Sequence, residues 1–94
     1  MQFACKQSKN EMNKNLQKCI GEKISELRIK NKQTQQDIEF LTGIDSAEVS
    51  KYESGKRNLT LKTLMKFAIA LQVHPKDLFD FKLDIKNYTI DEEL

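Results

Sequence analysis

The chain has no tryptophan, one proline, three glycines, one histidine and two cysteines among its 94 residues, and several of these scarcities exclude a chemistry. Three dispersed glycines build no phosphate-cradling loop. One histidine and two cysteines cannot assemble a four-ligand zinc set, and the spacing of Cys5 and Cys19 matches no metal half-site. The expectation is therefore no metal and no cofactor, and two free thiols, with Cys19 a small buried apolar residue on the helical face of Leu16. A lone His74 and an acidic pair, Glu92 and Glu93, on a terminal tail supply no rigid acid–base constellation, so the chain reads as a non-enzyme with no catalytic residue. No apolar run approaches the roughly 20 residues that span a bilayer, and the opening MQFACKQSKNEMNKN lacks the apolar middle of a secretory signal. A cytoplasmic protein with no membrane partner is expected.

What is present is a globular balance, 38% apolar and 32% charged, in a length that fits one small domain. Its core should be only marginally stable, which favours association with a second copy. The net charge of +2 is unevenly spread. Residues 1–32 carry eight Lys and Arg against three acids, whereas residues 33–60 carry three against five. Long-range attraction for a polyanion would come from Lys14, Lys18, Lys23, Lys30 and Lys32, with Lys51, Lys56 and Arg57 close in.

Apolar positions Leu16, Cys19, Ile20, Ile24 and Leu27 fall at helical spacing and end in the polar run Asn31, Lys32, Gln33. A second, short helix opens with Thr34 as cap and Asp37 in its first turn, turns Ile38 and Leu41 inward, and stops at Gly43. Asp45 caps a third from about Ser46 to about Ser54, with Glu48 completing an acidic capping box and Gly55 ending it. Thr60 caps a fourth that buries Leu61, Leu64, Phe67, Ala68 and Leu71, and Pro75 opens a fifth, with His74 in the cap position before it. The pairs Ile44 and Val49, Leu59 and Leu64, and Val73 and Leu78 each occupy hydrophobic-staple positions at three successive helix starts. Beyond, Phe81, Leu83, Ile85, Tyr88 and Ile90 alternate with polar residues as an extended strand would. With nothing in the chain to pair with, that tail is either disordered or joined to the same strand of a second subunit.

The stretch TQQDIEFLTGIDSAEVSKYESGKRN, Thr34 to Asn58, is thus two short amphipathic helices hinged at Gly43 and followed by a basic turn, the pattern of a DNA-binding helix-turn-helix. Gln35, Gly43, Val49, Ser50, Tyr52, Glu53, Gly55 and the Lys56-Arg57-Asn58 turn together resemble the phage-repressor-type family, the Cro-like and lambda-repressor-like DNA-binding domains, over about Leu16 to Phe81. The resemblance implies an all-α, compact five-helix domain at residues 14–81, flanked by a flexible extension at 1–13 and a tail at 82–94 that can form a dimerisation strand. It implies that the third helix enters the major groove, with Ser46, Ala47 and Lys51 toward base edges, and that Thr34, Gln35, Ser50, Lys56, Arg57 and Asn58 hold phosphates. Lys51 can donate to guanine O6 and N7, Ala47 can touch a thymine methyl, and Glu48 can accept from a cytosine amino group, although the capping-box role explains Glu48 with no ligand at all. Arg28 and Glu53 match positions that pair in relatives. Glu39 departs from the pattern, standing where an alanine is usual at the contact of helices two and three, so it must splay outward or find a partner; Gln33 replaces a common apolar residue.

The expected function is a sequence-specific regulator of transcription, a homodimer on a pseudo-palindromic operator in double-stranded DNA. Two alternatives stay open: an antitoxin-type module that docks a toxin through the apolar tail, and a controller of restriction-modification genes.

Overall fold

The computed structural model describes Phe3–Ala4 and residues 12–88. Four α-helices are joined by short turns: α1 Met12–Lys30, α2 Gln35–Thr42, α3 Ser46–Glu53 and α4 Leu61–Leu71. Strand β1, Phe3–Ala4, precedes them, and a 3-10 turn Pro75–Phe79, strand β2 Phe81–Lys82 and a second 3-10 turn Ile85–Asn87 follow. The caps lie where side-chain chemistry places them. Thr34 Oγ1 accepts from the Asp37 N–H at 3.0 Å while Asp37 accepts from the Thr34 N–H at 2.7 Å, and Gly43 closes α2 in the left-handed region at φ 79°. Asp45 accepts from Ala47 N–H at the start of α3, and Thr60 from Thr63 N–H at the start of α4.

One core unites the helices. Ile20 and Ile24 of α1, Ile38 of α2, Val49 of α3 and Leu64, Phe67, Ala68 and Leu71 of α4 are buried together with Leu78 of the first 3-10 turn. Each fully buried large side chain among them contributes about 1.5–3 kcal/mol relative to exposure. All six staple residues pack in or against this cluster. Tyr52 meets Phe67 edge-on, ring centroids 5.4 Å apart.

Several expectations are corrected. The fifth element is a five-residue 3-10 turn rather than an α-helix. Leu61 is 83% exposed, because it stands on the first turn and projects about 70° from the centre of the arc that buries Leu64, Phe67, Ala68 and Leu71. Leu41 is exposed as well: it lies about 60° round α2 from Ile38, and α2 ends before another element covers that side. Helix α1 begins at Met12, a turn before its apolar period, where buried Asn15 donates to the Tyr88 hydroxyl at 2.8 Å. The alternating tail yields only a two-residue strand before a 3-10 turn, and it has a partner in the chain: β2 pairs in parallel with β1, Phe81 opposite Phe3. Finally, Cys19 is fully buried and disulfide-bonded rather than a free thiol. Cys5 and residues 89–94, with the acids Asp91, Glu92 and Glu93, lie outside the described residues, as does most of the extension at 1–13.

Candidate nucleic-acid interface

The reading head is built on a salt bridge. Arg28 of α1 donates through Nε to Glu53 Oε2 at 2.6 Å and through Nη2 to Oε1 at 3.1 Å, and only 13% and 7% of the two side chains is exposed. Gln35 Nε2 adds a third bond to Glu53 at 3.1 Å, and Arg28 Nη1 reaches the Gln33 carbonyl at 2.8 Å. A buried pair with its spare donors satisfied is a rigid joint, and this one ties α1, the start of α2 and the end of α3 together. Gly21 permits the approach: a Cβ there would stand 2.3 Å from the Tyr52 carbonyl oxygen and 2.7 Å from that of Glu53. Gly55, at φ 78°, also lies close against Lys18, where a Cβ would stand 2.7 Å from the Lys18 Cα, and Gln17 Nε2 donates to the Gly55 carbonyl at 3.2 Å.

Glu39 finds its partner in α3. Its carboxylate accepts from the Ser46 N–H at 3.1 Å, so Glu39 and Asp45 together satisfy the first amides of the helix. Gln33 is also accounted for, since its amide donates to the Ala70 carbonyl at 3.1 Å while Asn31 donates to that of Leu71 at 2.9 Å. Both stitch the turn after α1 to the end of α4.

Ala47, Ser50 and Lys51 are exposed on α3, and Ser46 is half-exposed at its start. Thr34, Gln35 and Ser46 share a shallow polar hollow with Arg28, Gln33 and Gln36, where the starts of α2 and α3 converge. Lys56 and Asn58 are exposed in the basic turn. Arg57 is not free. Its Nε and Nη2 donate to the two oxygens of Glu48 at 3.0 and 3.4 Å, and Lys51 Nζ approaches Glu48 Oε2 at 3.4 Å. The hydrogen bond from Arg57, followed by that from Lys51, holds the Glu48 carboxyl below its ordinary value against a partial opposing effect of desolvation. Glu48 therefore spends its oxygens on the basic side chains rather than on a capping box.

Of the lysines expected to attract a polyanion, Lys14, Lys18, Lys30 and Lys32 are exposed, but Lys23 is buried between Glu26 and Asp80, 3.3 and 3.8 Å away. Sequence reasoning also missed Gly21, whose role appears only when two helices cross. Among the described residues no three or more His, Cys, Asp or Glu side chains form a metal-holding group, and no helix is long and apolar enough to cross a membrane.

A short helix laid across the start of a second, with exposed polar and basic side chains on the latter, defines a DNA-binding helix-turn-helix regulator of transcription. A helix-turn-helix family model matches residues 24–78, and the chain belongs to this Cro/C1-like family. It is similar to the control protein C.BamHI of Bacillus amyloliquefaciens, with 34% identity over 71 residues that cover 74% of this chain and 88% of that protein. Among solved structures it resembles the restriction-modification controller protein C.AhdI of Aeromonas hydrophila, at 35% identity and a TM-score of 0.65 over 67% of this chain and 96% of that one. It also resembles the controller C.Esp1396I, seen as a tetramer on its natural 35-base-pair operator, at 28% identity and a TM-score of 0.63 over 68% of this chain and 84% of the other.

Proposed function

We propose that this protein is a controller of restriction-modification genes that binds a pseudo-palindromic operator as a homodimer, with half-sites about one helical turn apart. The observation that carries the reading is the presentation of Ser46, Ala47 and Lys51 on a recognition helix locked by the Arg28–Glu53 pair. Lys51 donates to guanine, Ser46 donates or accepts, and Ala47 meets a thymine methyl. Thr34, whose hydroxyl hydrogen is left to donate, joins Gln35, Ser50, Lys56, Arg57 and Asn58 on phosphates, with the first amides of α2 completing the clamp. Chemistry is absent from this role, which is binding alone, in the cytoplasm where the DNA lies.

The second copy is proposed to dock on α4. Leu61, Met65 and Ile69, spaced i, i+4, i+8, are 83%, 48% and 64% exposed and form an apolar stripe beside exposed Phe79. A stripe of this kind on a small domain marks an interaction surface. It replaces the tail as the favoured dimer contact, since β2 already has β1 as neighbour and Tyr88 is held by Asn15. The same engagement weakens the antitoxin alternative, which needs the tail free to dock a toxin.

Selection of bound duplexes from a random pool tests the proposal. A palindromic consensus, with affinity lost in Lys51→Ala and falling as salt rises, supports it. Binding that is indifferent to sequence and to both changes overturns it.

A further inference from the structure

Recognition helix α3 carries two acids, the buried Glu53 and the partly exposed Glu48, and only Glu48 stands beside the basic contact groups Lys51 and Arg57. Glu48 stands on its first turn, and its two oxygens bridge Lys51, three residues on, and Arg57 in the following turn, at 3.0–3.4 Å. Helix capping does not account for it, because its oxygens lie on Arg57 and Lys51 and α3 has no capping-box bond back to the Asp45 N–H. The core does not account for it either, since the side chain is 38% exposed. Residues 33–60 carry a net charge of −2 with Glu48 included, so its carboxylate on the DNA-facing helix opposes binding unless the DNA offers it a donor. Pairs as exposed as these exchange partners readily in water.

We propose, on the basis of the operator-binding reading above, that Glu48 is a specificity-determining residue which accepts a hydrogen bond from the exocyclic amino group of a cytosine. In the free protein its carboxylate holds Arg57 and Lys51. On the operator those cations pass to a phosphate and a guanine, and a vacated oxygen takes the cytosine N4 hydrogen that is not paired with guanine. In the major groove guanine and thymine present acceptors, O6, N7 and O4, where cytosine presents its donor. On such a base the carboxylate keeps Arg57 and Lys51 as its partners, and Arg57 is then withheld from the phosphate. A wrong base is thereby penalised twice, through the lost acceptor contact and through the arginine that stays paired. Adenine offers one amino group beside the N7 acceptor, which gives a poorer fit.

Selection from a random duplex pool, run on the full wild-type chain, Glu48→Gln and Glu48→Ala, tests this, with binding to a non-operator duplex measured in parallel. Wild type is expected to enrich cytosine at one position of each half-site, by roughly ten-fold over guanine or thymine. Both variants are expected to lose that preference while keeping the rest of the consensus, and to bind the non-operator duplex several-fold more tightly, because Arg57 and Lys51 are released. Circular dichroism melting shows whether each variant is folded, and either folded variant suffices for the comparison. An unchanged cytosine preference, or equal weakening on operator and non-operator duplexes, overturns the proposal while leaving the operator-binding reading intact. Failure of the wild type to select any consensus overturns both.

Discussion

At the scale of single residues, charge pairs separate scaffold from contact surface. Arg28 and Glu53 are withdrawn from water and bonded to each other through two donors. Arg28→Met is expected to destabilise the fold by about 3 kcal/mol, since it leaves Glu53 buried with only Gln35 to answer it; chemical denaturation measures this. Glu48 lies at the other extreme, exposed and exchangeable. Its folded pKa is lower than in the unfolded chain, so its pair with Arg57 is fully formed above the ordinary 4.5 and is lost as pH falls through the lowered value. Carbon-13 titration of the Glu48 carboxyl should give a midpoint below 4.5, and Arg57→Ala should move it back up, Arg57 being the largest cause. A midpoint unmoved by Arg57→Ala would contradict the pairing.

Among the elements, two helix contacts decide where α3 points. The first is α1 against α3, where Gly21 faces the Tyr52 and Glu53 carbonyls with no room for a Cβ. Gly21→Ala should cost about 1–3 kcal/mol as the helices are forced apart, and should weaken DNA binding more than a substitution of equal cost in α4. The second is α2 against α3, where Glu39 accepts from the Ser46 N–H. Glu39→Ala removes a cap and should lower stability by about 1 kcal/mol, read from the thermal midpoint. The sequence identified Glu39 as misplaced for its position but not its solution, because the cap is supplied seven residues ahead of the amide it serves and depends on the angle between two helices.

For the whole molecule, association is expected to rest on the apolar stripe of α4, the proposed docking face of a second copy, and on the uneven charge. Met65→Glu combined with Ile69→Glu should leave the fold intact, both side chains being exposed, yet shift sedimentation toward the monomer and reduce operator affinity. A dimer that survives this pair of changes would place the contact elsewhere. Operator affinity should also fall linearly with the logarithm of salt concentration, with a slope of about −0.9 for each phosphate neutralised. Lys56→Ala should lower that slope by about one without changing the consensus.

Local chemistry was legible in the chain at most places where neighbours in sequence are neighbours in space. The capping box expected from Asp45 and Glu48 is an exception, because Arg57 and Lys51 take the Glu48 oxygens. The caps at Thr34, Asp45 and Thr60, the left-handed turn at Gly43 and the staple residues all depend on side chains within five positions, so the helix-turn-helix could be read from Thr34 to Asn58 alone. Tertiary structure decided what depends on distant partners. It buried Lys23, exposed Leu61 and Leu41, paired the tail with Phe3–Ala4, made Gly21 a contact and gave Glu48 to Arg57. Periodicity states that a helix has an apolar face; only the packing of other elements settles how wide an arc of that face is covered, and which charges meet across the gap.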